Sequence, residues 1–219
     1  NINSTKFKDL KILKLKRFID LRGNLVKTIN KNYKSLKFNC FESYISISKK
    51  GAVRGLHGQL GKYSQSKIIY CIQGKFLDIA VDLRINSKTY GKVFKKIINS
   101  KNSVALLIPK GFAHGVVVLE NNTILLNYSS SAHKPKQEYG INIKSINLNL
   151  GKLKLIISKK DKSFLSLNEF LKPYKNEYDR IIEDRGYVEQ VLMDGANTAK
   201  EVSTPLIEKI RSAVGIRGF

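Results

Sequence analysis

Tryptophan is absent from this 219-residue chain. Methionine (one), cysteine (two) and histidine (three) are scarce, and 17 acidic residues face 40 lysines and arginines. Each shortage excludes something. Two cysteines, Cys40 and Cys71, are too few for a disulfide scaffold or a four-thiolate zinc site, and a reduced, cytoplasmic setting is the plain expectation. His57, His114 and His133 form no His-x-His or His-Glu-x-x-His pattern, so a metal would need ligands gathered from distant loops, and none is expected. No Gly-x-Gly-x-x-Gly fingerprint points to a bound dinucleotide. No apolar run approaches the roughly 20 residues that cross a bilayer, so no membrane span is expected. No signal-like segment is visible.

What is present is enough for a core. Apolar residues make up 42% of the chain and aromatics 9%, which rules out a fully disordered polymer. The length fits one β-rich domain, or one domain with an appendage. The formal charge is +23. Lysine outnumbers arginine 32 to 8 and is scattered in ones and twos, which reads as a solvated surface rather than a nucleic-acid-binding block. A basic nucleic-acid module is the reading from a different functional class, but the aromatics form no stacking array, and no nucleic-acid partner is expected. The charge is uneven: residues 1–180 carry 35 basic and 11 acidic residues, residues 181–219 only 5 and 6. That shift sets a boundary near 178/179, with a domain over 1–178 and a tail over 179–219.

The first part reads as strands. Lys67–Gln73 is rich in β-branched residues and stops at Gly74, and Phe76–Arg84 alternates with period two. Val93–Ile98 and Val104–Ile108 are further short strands. Gly115–Leu119 and Thr123–Tyr128 read as a hairpin around Glu120–Asn122. Strands at this spacing predict a mainly β antiparallel sandwich or barrel. Helical periodicity begins at Phe164–Leu171. The tail is helical, with apolar residues from Tyr187 to Val202 in one stripe and from Leu206 to Val214 in another. Thr204-Pro205 reads as a cap followed by proline at the first helical position, which predicts two helices.

Candidate chemistry sits at the histidines. His57 lies in Arg54-Gly-Leu-His57-Gly-Gln59. An imidazole accepts a proton near neutral pH, and a guanidinium grips phosphate through paired donors. In a regular strand Arg54 and His57 point to opposite faces, and a bulge is needed to bring them to one mouth. His114, in Ile108-Pro-Lys-Gly-Phe-Ala-His114-Gly115, is delivered by a turn to a strand start, either as a corner histidine bonded to backbone or as part of a ligand pocket.

At this point the chain resembles a known family. Arg54-Gly-Leu-His57, the Gln59…Lys67 stretch, Phe76-Leu-Asp-Ile-Ala-Val-Asp-Leu-Arg84, Ser87-x-Thr89-Tyr-Gly91 and Ile108-Pro-x-Gly-Phe-Ala-His-Gly115 occur in fixed order. They are similar to motifs of the dTDP-4-dehydrorhamnose 3,5-epimerases, a cupin (jelly-roll) family. Asp20-Leu-Arg22-Gly23 and Leu155-Ile-Ile-Ser-x-Lys-Asp161 resemble its first and last motifs, so the likeness spans about residues 8–172. The resemblance implies a jelly roll with a helical appendage, and a cofactor-independent epimerase of a nucleotide-diphosphate 4-keto sugar. His57 would remove protons from C3 and C5, Asp161 would orient His57, and Lys67 would stabilise the enolate. Arg54 and Arg22 would hold the diphosphate, to which a basic protein is suited. Gln59, His114, Asn127 and His133 would belong to the substrate pocket. From its own neighbours alone, Asp161 reads equally as a helix cap.

The chain departs from the family pattern. Asn127 stands where the family carries a tyrosine acid, on the far side of the sugar from the histidine. Tyr128 follows it, and serves as that acid only if a bulge turns it inward. Exchange at C3 is therefore expected to exceed inversion, with a single-centre 3-epimerase or a ketoisomerase-like or binding variant as the alternative. His133 replaces an aromatic near the nucleotide base, Glu42 a glutamine, and Leu107 a tryptophan. A homodimer is expected, with amino-terminal edge strands covered across the interface. The tail, with Tyr187-Val-Glu-Gln-Val-Leu-Met-Asp-Gly-Ala-Asn-Thr-Ala-Lys, resembles the end of tryptophanyl-tRNA synthetases and carries none of their nucleotide-binding motifs.

Overall fold

The computed structural model describes residues 2–29, 36 and 38–215. Thirteen strands form among them, because runs of Val, Ile and Tyr with alternating burial favour a pleated, half-buried surface. One sheet has six antiparallel strands in the order β1 (Ile2–Ser4), β2 (Lys11–Lys14), β10 (Val104–Ile108), β7 (Lys67–Gln73), β12 (Thr123–Ser129) and β5 (Glu42–Ser48). The other has five, in the order β13 (Glu138–Gly140), β6 (Val53–Gln59), β11 (Phe112–Val118), β8 (Lys75–Asp82) and β9 (Val93–Asn99). A separate hairpin joins β3 (Arg17–Asp20) to β4 (Gly23–Val26). The antiparallel sandwich read from the strand spacing is present.

The period-two pattern sorts side chains into layers. Ile69, Cys71, Leu106 and Leu125 from the six-stranded sheet meet Phe76, Ala80, Ile98, Phe112 and Val116 from the other. On the outer face of the five-stranded sheet, Val53, Ile79, Val81, Ala113 and Val117 are covered by Ile141, Ile143, Ile146 and Ile157. On the outer face of the six-stranded sheet, Ile68, Tyr70, Ala105 and Leu107 pack with Leu13 and Leu15.

Three local expectations are corrected. The Glu120–Asn122 turn does not close a hairpin. β11 pairs with β6 and β8, β12 with β5 and β7, and the turn carries the chain from one sheet to the other. A tight turn between two apolar runs gives the same local signal in both cases, and long-range pairing decides between them. Secondly, His114 is the third residue of β11 rather than its start, because pairing to β8 begins at Phe112 opposite Asp82. Thirdly, the tail helices do not separate at Thr204-Pro205. α2 (Leu167–Glu183) ends before Asp184, whose carboxylate accepts the Tyr187 N–H at 3.0 Å, and α3 (Arg185–Ala213) runs through Pro205. A capping aspartate thus marks the break, while Pro205 only forfeits one backbone donor.

The chain divides into two compact units, residues 1–170 and 171–219. No residue of α2 or α3 is buried. Among the described residues, no helix is long and apolar enough to cross a membrane.

Candidate active site

Strand β6 is bent into the site by an irregularity. His57 pairs with His114 and Arg54 with Val116, so two residues on β6, Gly55 and Leu56, stand opposite one on β11, Gly115. This bulge turns Arg54 and His57 to one side, where both line a cavity of about 360 Å³. Gly55 makes it possible. Its φ is +111°, and an added Cβ would lie 2.5 Å from the His114 carbonyl oxygen, so only glycine fits the close approach.

The cavity lies between the sheets. Arg54, His57, His114 and Val116 line it from the five-stranded sheet, and Tyr44, Lys67, Leu125 and Asn127 from the six-stranded one. At its rim Arg54 Nε donates to Ser48 Oγ at 3.0 Å.

Asp161 reaches His57 from 104 positions along the chain. A bridge between Ala52 and Ile156, with Val53 N–H donating to the Ile156 carbonyl at 2.9 Å, lays this segment beside the start of β6. Ser158 then caps the single-turn helix α1 (Lys159–Lys162), its Oγ accepting the Asp161 N–H at 3.0 Å. The cap is thus Ser158. The Asp161 carboxylate is buried, with Oδ1 2.8 Å from His57 Nε2. Nε2–H donates to that carboxylate, which leaves the lone pair of a neutral imidazole on Nδ1. The Phe164 ring packs edge-on against the imidazole, 5.5 Å between centroids.

Burial dominates the electrostatics. It pushes the His57 pKa below its ordinary 6.5, while the Asp161 hydrogen bond and the charges of Glu138 and Asp161 pull it back up. The net shift favours the neutral imidazole, the form of a histidine that can accept a proton. Lys67 is likewise held below the usual lysine value by burial, with Glu138 and Glu42 opposing the shift. Glu138 was not foreseen. Its buried carboxylate lies 3.5 Å from His57 Nε2 and accepts from His133 and Lys160, each at 2.7 Å. Burial raises its pKa, but the Lys160 and His133 hydrogen bonds outweigh this and the net shift is downward. No spacing rule links Glu138 to His57; only the β13–β6 pairing of Gly140 with His57 brings it near.

His114 is buried and bonded to Asp78, 2.8 Å from Nε2 to Oδ2. Four expected site residues lie elsewhere. Tyr128 faces the outer layer of the six-stranded sheet, its hydroxyl 2.7 Å from Thr28 Oγ1, since β12 pairs regularly with β5 and β7 through Asn127 and Tyr128. Arg22 sits on the β3–β4 turn, bound to Asp20 at 2.6 Å with its side chain 89% exposed. Gln59 is buried as a loop clamp, donating to the Tyr63 and Ala132 carbonyls at 2.9 and 3.0 Å. His133 is given over to Glu138. In each case a nearby polar partner within the chain claims the side chain. Tyr44, which lines the cavity, was missed, although alternation along β5 puts it on the inner face.

A sequence model of dTDP-4-dehydrorhamnose 3,5-epimerase matches residues 4–169. The chain belongs to this family. The Escherichia coli (strain K12) dTDP-4-dehydrorhamnose 3,5-epimerase is 32% identical over 179 residues, covering 78% of this chain and 97% of that enzyme. The crystal structure of a Legionella pneumophila dTDP-6-deoxy-D-glucose-3,5-epimerase, in complex with dTDP-4-keto-L-rhamnose, superposes with a TM-score of 0.72 at 32% identity, covering 77% and 93% of the two chains. A Mycobacterium tuberculosis epimerase structure, at 20% identity and a TM-score of 0.74 over 84% and 98%, shows the fold alone. The two-sheet body is the cupin-like jelly roll of these epimerases.

Proposed function

We propose that this member of the family epimerises a dTDP-linked 4-keto-6-deoxyhexose by proton abstraction next to the ketone. The observation that carries the reading is the His57–Asp161 pair, 2.8 Å apart, in a cavity that also holds Lys67 on the facing sheet. The C4 carbonyl acidifies the hydrogens on C3 and C5. His57 takes one of these protons, and the C–H electron pair forms a C=C bond to C4 as the carbonyl oxygen becomes an enolate. Asp161 stabilises the imidazolium that forms, and the Lys67 ammonium faces the developing oxyanion. Arg54 at the rim suits the diphosphate. Among the described residues, no group of three or more His, Cys, Asp or Glu is arranged to hold a metal ion.

We further propose a homodimer in the cytoplasm. The β3–β4 hairpin exposes Phe18, Ile19, Leu21 and Leu25, a patch suited to a second copy, and Arg22 on its turn would then serve the partner's diphosphate. Proton NMR in D₂O on a dTDP-linked 4-keto-6-deoxyhexose tests the activity. Deuterium at C3 and C5 is expected; none at either carbon with bound substrate would refute it. Light scattering tests the dimer, and a monomer at micromolar concentration would rule it out.

A further inference from the structure

Inversion needs a second proton, delivered to the face of the carbon opposite the base. Asn127 carries no ionisable group, and Tyr128 is turned away from the cavity. The cross-strand partner of Asn127 on β5 is Tyr44. Directly paired residues of an antiparallel ladder share a face, with Cβ atoms about 5 Å apart. Tyr44 and Asn127 accordingly line the cavity together. His57 comes from the five-stranded sheet and Tyr44 from the six-stranded sheet, so a sugar between the sheets has the imidazole on one side and the phenol on the other. His114 pairs with His57 on β11 and belongs to the base side. We propose that Tyr44 is the acid that protonates the enolate on the face opposite His57, in the role that the phenol at position 127 fills in the family. This rests on the epimerase reading of the site.

The step balances. The Tyr44 O–H bond breaks and its proton forms the new C–H bond. The enolate electrons make that bond as the C4 carbonyl re-forms, and Tyr44 is left as a phenolate. The imidazolium and phenolate return to their starting states by proton exchange with water, for which Tyr44, 43% exposed, has an open side. Burial first, and the Glu42 carboxylate second, raise the Tyr44 pKa above 10, with Arg54 opposing. The phenol is therefore protonated at neutral pH and ready to donate.

The test separates washout from inversion in D₂O. In Tyr44→Phe, His57-dependent deuterium exchange at C3 is expected to persist while inversion falls on the order of 10²–10⁴-fold. Tyr128→Phe should invert like the parent protein. Moving the phenol across the ladder, in the double variant Tyr44→Phe with Asn127→Tyr, should restore inversion. Inversion by Tyr44→Phe within about threefold of the parent would overturn the proposal, as would a double variant that exchanges at C3 yet does not invert. Absence of all exchange in the parent would instead overturn the epimerase reading itself.

Discussion

The two units of this chain are built from opposite uses of apolar residues. In residues 1–170, Ile69, Cys71, Phe76 and Leu106 are at most 1% exposed between two sheets. In residues 171–219, Leu192, Val202, Leu206 and Ile210 are all more than half exposed. Charge divides in the same way. The first unit carries 32 basic and 9 acidic residues, the second 8 of each. The family match ends at residue 169, and every side chain given a chemical role lies before it. Helical periodicity alone supports an element, whereas buried cross-strand packing supports a site: His57 and Asp161 are held at 2.8 Å because strands, a bulge and a capped turn are each fixed by their neighbours.

The sharpest way to break this contrast is at His57. His57→Ala should lower turnover and C3 exchange on the order of 10²–10⁴-fold, with substrate still bound. Ordinary turnover, measured by NMR, would remove the first unit's claim to the chemistry. A second comparison sets stability in one unit against the other. Ile69→Ala leaves a cavity between the sheets and should destabilise by about 2–5 kcal/mol. Leu192→Ala, 67% exposed at the start, should change stability by less than about 0.5 kcal/mol. Denaturant midpoints read both, and equal losses would show that α3 is packed as a core element.

Lys67→Met should reduce turnover by about 10²-fold or more, with a much smaller change in melting temperature, because it removes a charge facing the oxyanion. A collapse of folding with the activity would make Lys67 a structural residue. The pH dependence is a finer probe. Only neutral His57 is a base, and burial holds its pKa below 6.5, so kcat/KM should rise with pH through the acid limb and be flat by neutrality. Asp161 favours the protonated form. Asp161→Asn should therefore lower kcat and also move that limb to lower pH. A shift to higher pH would contradict the assignment. Smallest of all is the effect expected from deleting residues 181–219. Melting temperature and exchange rate should be unchanged within error, and insoluble or inactive protein would show that the tail belongs to the folding unit.

Much of the site was legible as residue types in order. Arg54, His57, Lys67, His114 and Asn127 were all marked in the sequence, and the cavity gathers them. Tyr128 could not be resolved there. Its orientation turns on whether β12 bulges, and the irregularity lies instead between Ile124 and Leu125. Glu138 and Tyr44 were not marked, since each acquires its place in the site from a distant strand partner, Gln59 for Glu138 at 79 positions and Asn127 for Tyr44 at 83.

By itself the sequence determined the strand-rich body, the helical tail, the absence of a thiol or histidine metal motif, and the histidine around which the site forms. These follow from composition, from periods of 2.0 and 3.6, and from short motifs, all of which are local properties of the chain. Tertiary structure alone decided which sheet each strand joined, that Glu120–Asn122 is a corner between sheets, that Asp161 meets His57, and that Tyr44 shares a face with Asn127. Those outcomes depend on pairing between segments far apart in the chain, 83 positions for Tyr44 and Asn127 and 104 for Asp161 and His57, where the competing registers differ by burial and hydrogen bonding summed over whole strands and leave no mark on any one residue.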